Sequence, residues 1–102
     1  MSETNLKPTL HLIQKNLSNS EFDLQTNRMT NNGDQLVFMG DCVFNLTILN
    51  QSINQLEGLT IYVIDSDFKA RALDENLTQQ VIIIDFEQFV SLTINADKVI
   101  TW

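Results

Sequence analysis

The sequence predicts a mostly β fold, a small antiparallel β-sandwich or barrel of about seven strands with one or two short helical turns. Three observations predict it. Val81-Ile82-Ile83-Ile84 is a β-branched run with no polar face, suited to the covered interior of a sheet. Polar and apolar residues alternate over 21–29 and again over 42–49, the period of a half-buried strand. Asn32-Gly33 supplies the positive φ angles of a tight hairpin turn. The alternative is an α+β domain with a helix near 67–75.

In chain order, residues up to Pro8 read as a flexible N-terminal arm on a single domain spanning 1–102. Thr9 to Gln14 reads as a first strand and Asn16 to Ser20 as a polar turn. Over 21–29, Phe22, Leu24 and Thr26 alternate with Asp23, Gln25 and Asn27, a second strand. The Asn32-Gly33 hairpin would return the chain from Gln35. Keeping apolar residues on one face then pairs Phe22 with Phe44 and Leu24 with Cys42, which requires a bulge at Gly40-Asp41.

Residues 42–49 set Cys42, Phe44, Leu46 and Ile48 on one strand face. Residues 50–57 read as a helical turn or wide loop, with Ser52 and Gln55 at capping-box spacing. Leu59 to Ile64 is apolar on both faces apart from Thr60 and reads as a near-central strand. In the connection 65–76, Phe68, Ala72 and Leu73 are spaced to cover the core from a short helix.

The stretch 81–94 would run about 45 Å if fully extended, against a radius of gyration of about 13 Å expected at this length, so it must break near Asp85 to Gln88. Two readings compete there: strand, turn and strand, or a helical turn capped by Asp85 with Gln88 at the third position. Lys98 to Trp102 forms a last strand, with Trp102 a lid on the core or part of an interface.

Bulk properties exclude several functions. The longest apolar runs are four residues, far short of a membrane span. Thirteen acidic and six scattered basic side chains give a net charge of −7, which argues against nucleic-acid and anionic-membrane partners. The start, MSETNLKPTL, lacks a secretory leader and points to a cytoplasmic chain, and the richness in Asn, Gln, Ile and Thr points to a bacterium or phage. Cys42 is the single cysteine and, beside Val43 and Phe44, reads as a buried small hydrophobe. His11, the single histidine, sits in polar–apolar alternation and reads as a strand-surface residue; the chain has no serine-nucleophile elbow or phosphate-cradling loop.

The remaining candidate chemistry is carboxylate. Asp65 and Asp67 follow one strand and Asp85 and Glu87 follow another, so neighbouring strands would bring them together at a metal or acid–base site. Solvated turns are the plainer account. No cofactor is implied.

The reading that follows is a non-enzymatic protein-binding or assembly module of unknown role. Its partner is protein, possibly a second copy, met through Lys98, Ile100 and Trp102 on an unprotected edge strand. Two alternatives stand beside it: an acidic decoy from a mobile element that mimics nucleic acid, and a small carboxylate metal-dependent enzyme or ligand-binding barrel.

Overall fold

The computed structural model of the chain describes residues 7–70 and 81–102. It is a parallel α/β fold. Strands β1 (Thr9–Ile13), β2 (Gln35–Phe38), β3 (Thr60–Ile64), β4 (Val81–Ile84) and β5 (Lys98–Thr101) form one sheet in the order β4-β3-β2-β1-β5. Every neighbouring pair is parallel. Between the strands lie the helices α1 (Asn19–Met29), α2 (Leu46–Asn54), α3 (Asp65–Ala70) and α4 (Phe86–Asn95), with a 3-10 segment at Gly40–Asn45 leading into α2.

The antiparallel sandwich or barrel is therefore wrong, and the reason lies in three segments that are helical, two where alternation suggested strand and a third where strand competed with a capped helical turn. In α1, Phe22 and Thr26 are buried one turn apart while Leu24, the supposed partner on the same strand face, is 54% exposed. In the second segment Cys42, Val43, Leu46, Leu49 and Ile53 are buried at helical spacing, and Ile48 is 58% exposed. The third is α4, where the Asp85–Gln88 capping box is present in both directions, at 2.8 and 2.9 Å. An equivalent box at the start of α1 links Ser18 and Glu21, whose carboxyl is held below its ordinary pKa by hydrogen bonds from the Ser18 backbone and hydroxyl.

Asn32-Gly33 turns the chain from α1 into β2 and makes no hairpin, so no bulge at Gly40-Asp41 is needed. Gly33 has a φ of 94° and donates its N–H to the Gly58 carbonyl at 2.6 Å. Gly58, with a φ of 78°, lies so close that a Cβ on it would run into the side-chain oxygen of Asn32. Gly58→Ala should therefore lower stability by the roughly 1–2 kcal/mol of a left-handed non-glycine residue and by the smaller cost of turning the exposed Asn32 side chain aside. Gly33→Ala, which meets open space, should show only that backbone cost. Thermal unfolding of the two variants side by side checks the difference.

The strands beginning at Thr9, Gln35, Thr60, Val81 and Lys98 are those expected, but their order is not. Val81–Ile84, expected at the centre with both faces covered, is at one edge of the described sheet, and Ile82 is 51% exposed. The central strands are β3, β2 and β1. The chain steps from β1 to β4 in one direction and then reverses to set β5 beside β1. Right-handed parallel crossovers then require α4 on the face opposite α1 and α2.

The two core clusters follow that division. On the first face Ile13, Leu36, Phe38, Ile61, Val63 and Val81 pack with Phe22 of α1, Leu46 and Leu49 of α2, Phe68 of α3 and Trp102. On the second, Leu10, Val37 and Ile64 are buried beneath Phe89, Leu92 and Ala96. Cys42 is buried as expected, its thiol donating to the Ile13 and Met39 carbonyls. Asn45 is buried too and grips the Leu17 peptide from both sides, accepting from its N–H at 2.5 Å and donating to its carbonyl at 2.9 Å.

Residues 1–6 of the expected arm lie outside the described residues; Pro8 is anchored, its carbonyl accepting the Asp97 N–H. The helix expected near 67–75 exists as Asp65–Ala70, with Phe68 buried, and its remainder, including Ala72 and Leu73, lies outside the described residues. No described helix is long and apolar enough to cross a membrane.

Candidate interaction surface

The second face of the sheet is where the chain departs from a closed core. Side chains alternate along each strand, and the parallel register aligns Ile82, Tyr62, Val37 and Leu12 in one row across four strands. Among the described residues a single ten-residue helix covers this face, and none of its residues is buried. Phe89 and Leu92 lean on the sheet, as i and i+3 neighbours on one helical stripe. Phe86, Val90 and Ile94, spaced by four, form a second stripe that faces solvent, with Phe86 68% and Ile94 71% exposed. Phe86 and Phe89 hold each other at a ring separation of 6.2 Å. Ile82 on β4 and Val99 on β5 extend the apolar surface to both edges of the sheet. Met39 and Tyr62, half-buried on this same face, belong to it and not to the face that carries Trp102.

Beneath the first face a buried polar chain crosses the molecule. His11 points into the core and is 0% exposed, which corrects the reading of it as a surface residue. Its Nε2 lies 3.0 Å from Asp34 Oδ2, and its Nδ1 accepts the Trp102 indole N–H at 3.0 Å. Asp34 also accepts from the Thr9 and Asn31 backbone N–H groups. Burial alone would push the Asp34 carboxyl up, but the N–H donors of Asn31, His11 and Thr9 outweigh it and hold the group below its ordinary pKa. Trp102 is buried, its own N–H bonded to the Leu12 carbonyl and its ring 6.2 Å from that of Phe22. It is a lid on its own core. Of the other two residues expected at an interface, Ile100 is half-buried against that core and Lys98 is exposed on the outer strand.

Positions 65 and 85 do come together, each one residue beyond the paired ends Ile64 and Ile84 of neighbouring strands. Their carboxylates are engaged locally. Asp65 pairs with Lys69 at 3.1 Å, and Asp85 caps α4. Asp67 accepts the Gly40 N–H at 2.9 Å, and Glu87 is exposed in the first turn of α4. Among the described residues no three His, Cys, Asp or Glu side chains are grouped to hold a metal. Of the described acids, Glu21 and Asp85 serve in helix caps, Asp65 as an ion-pair partner and Asp34 as a member of a buried chain, roles that do not favour the decoy reading.

Comparison with known proteins decides the family. The family model described as DsrH like protein matches residues 18–99. The chain belongs to this family. It is similar to Protein TusB of Pectobacterium parmentieri, 27% identical over 95 residues that cover 91% of this chain and 99% of the relative. It is similar to Protein TusB of Escherichia coli K12, 27% identical over 77 residues, 74% of this chain and 81% of the relative. Protein TusB of Photorhabdus laumondii is 31% identical over 72 residues, 69% and 76% of the two chains. Membership in the DsrH/TusB family makes the chain a component of a protein assembly and not an enzyme. The role is thus no longer unknown in kind, and the all-β description is replaced by a parallel α/β one.

Sequence reasoning missed two features of the site. The outer stripe of α4 is visible as Phe86, Val90 and Ile94 once a helix is assumed, and is hidden while 89–94 reads as strand. His11 is flanked by Leu10 and Leu12, and in a strand covered on both faces such a residue must be buried and must therefore find partners.

Proposed function

We propose that this chain is a non-catalytic subunit of a bacterial sulfur-relay complex serving tRNA thiolation, working in the cytoplasm and docking other relay proteins on its α4 face. The observation that carries the proposal is a helix that closes one side of a sheet while burying none of its own residues. Five large apolar side chains, Ile82, Phe86, Val90, Ile94 and Val99, are left in water on that side. Contiguous exposed apolar surface rimmed by polar groups is the signature of a protein interface. The exposed edge of β5 with Lys98 borders it.

The subunit itself does not carry sulfur. A relay thiol must be reachable and ionisable, and the single cysteine, Cys42, is fully buried with its thiol donated to backbone carbonyls. Its contribution is to hold and orient partners that do carry it.

The test is co-expression with the other sulfur-relay proteins of the encoding organism, followed by size-exclusion chromatography with light scattering. The wild-type chain should elute in a complex larger than itself or its own dimer. The double variant Phe86→Asp, Ile94→Asp changes only exposed positions, so it should keep its circular dichroism and lose affinity by at least about 100-fold. In cells lacking their own DsrH/TusB protein, wild type should restore thiolated tRNA and the double variant should not. Binding undiminished in the variant, or no complex with any relay protein, would sink the proposal.

A further inference from the structure

The apolar stripe of α4 is bordered by carboxylates at both ends. Asp85 caps the N-terminus of the helix, and Glu87 lies in its first turn, two helical turns before Ile94 on nearly the same bearing. Asp97 follows the C-cap Ala96 at the other end. All three are exposed. A helix of this length spans only about 15 Å, so the row of Phe86, Val90 and Ile94 lies between acids that are close to every part of it.

Among the described residues no cation on this face balances them. Lys15 and Arg28 line a groove along α1, whose Phe22 packs on the other side of the sheet. Lys69 is paired with Asp65 on α3. Lys98 precedes Ile100 by two residues in β5, and Ile100 packs against the first cluster, so strand alternation turns Lys98 to that side as well. Lys7 borders a cleft with Asn31, Gly33 and Asp34 at the turn into β2.

Given the docking role of α4, on which this rests, we infer that the face takes a protein surface whose centre is apolar and whose border carries Lys or Arg, and not a second copy of this chain. Two copies meeting through antiparallel α4 helices would set Asp85 and Glu87 of one against Asp97 of the other, and parallel helices would set like against like. Closing an apolar contact around such carboxylates strips water from them and supplies no partner. A basic border gives each acid an opposite charge at the rim of the contact, where ion pairs act mainly on the rate of encounter. The net charge of −7 attracts the same partner from a distance. Once it has docked, the buried apolar side chains Phe86, Val90 and Ile94 set how long it stays.

The experiment measures association and dissociation rates by stopped flow between the full chain and a purified sulfur-relay protein of the encoding organism that co-elutes with it. Sodium chloride is raised from about 20 to about 500 mM, which shortens the screening length from roughly 20 Å to roughly 4 Å. The association rate should fall at least about tenfold over that range while the dissociation rate changes by less than about threefold. Glu87→Gln with Asp97→Asn leaves Asp85 to cap the helix, and should slow association about fivefold at low salt and flatten its salt dependence. Asp23→Asn with Glu57→Gln removes two charges from exposed positions away from α4, and should slow it by less than about twofold. An association rate indifferent to salt, or equal slowing in the two charge-neutralised variants, would overturn the basic border; if Phe86→Asp, Ile94→Asp still abolished binding, the docking role would stand without it. Undiminished binding in that variant, or no co-eluting relay protein, would remove both. Light scattering of the chain alone completes the test, because a dimer that Phe86→Asp, Ile94→Asp dissolves would mean that a second copy covers the face.

Discussion

Asp34→Ala should cost the fold about 3–5 kcal/mol, a large part of the stability of a small domain. The carboxylate accepts from His11 Nε2, Asn31 N–H and Thr9 N–H at 3.0 to 3.2 Å, and alanine leaves all three without an acceptor where water is largely excluded. Asp34→Asn should fall between. Two of the donors converge on Oδ2 and one on Oδ1, so the amide can keep its oxygen toward the pair and set its nitrogen against Thr9 only. Urea unfolding monitored by circular dichroism measures all three proteins, with Glu21→Ala, at an exposed capping-box position, expected to lose far less. The sign of the pH effect is fixed by the direction of the shift. A carboxyl whose folded pKa is depressed contributes stability above its unfolded value of about 3.9 and loses it as pH falls through the folded value. The acid limb of the stability curve should thus be shallower in Asp34→Ala than in wild type.

Trp102→Ala should be comparably severe, at about 3–5 kcal/mol, because it opens a cavity against Phe22 and strips His11 Nδ1 of its donor together. Trp102→Phe separates the two effects. It refills most of the space and leaves only the unpaired imidazole nitrogen, which should cost about 1–3 kcal/mol. Denaturant midpoints at neutral pH, read by circular dichroism because the fluorophore is gone, distinguish the cases. A loss below about 1 kcal/mol in Trp102→Ala would mean that Trp102 is loosely seated and that the buried polar chain is not what holds β5 in place.

All five strands were legible in the sequence; their direction was not. Thr60–Ile64 is apolar on both faces apart from Thr60, which is what parallel packing between two helical layers demands, yet a sandwich core can demand the same of a short run. The helices were harder. Over five residues the sequence Phe22, Leu24, Thr26 satisfies a period of two as well as the pair Phe22 and Thr26 satisfies a helical one, and only the Ser18-x-x-Glu21 box breaks the tie. The Asn32-Gly33 signal is real in conformation, as the φ of Gly33 attests, but such a turn starts a strand after a helix as readily as it closes a hairpin. The candidate carboxylates were placed at strand ends correctly, and their capping and pairing roles follow from the helices that begin there. The α4 surface could not be read without first knowing that residues 86–95 are helical.

A helix attached to its sheet along one stripe has a consequence inside the cell. Without partners, Phe86 and Ile94 stay exposed, and the segment that carries them opens more readily than the central strands, where chaperones and proteases find their substrates. If the α4 face docks partners as proposed, copies without them should be cleared faster than assembled ones, so that the level of the chain follows the supply of its companions.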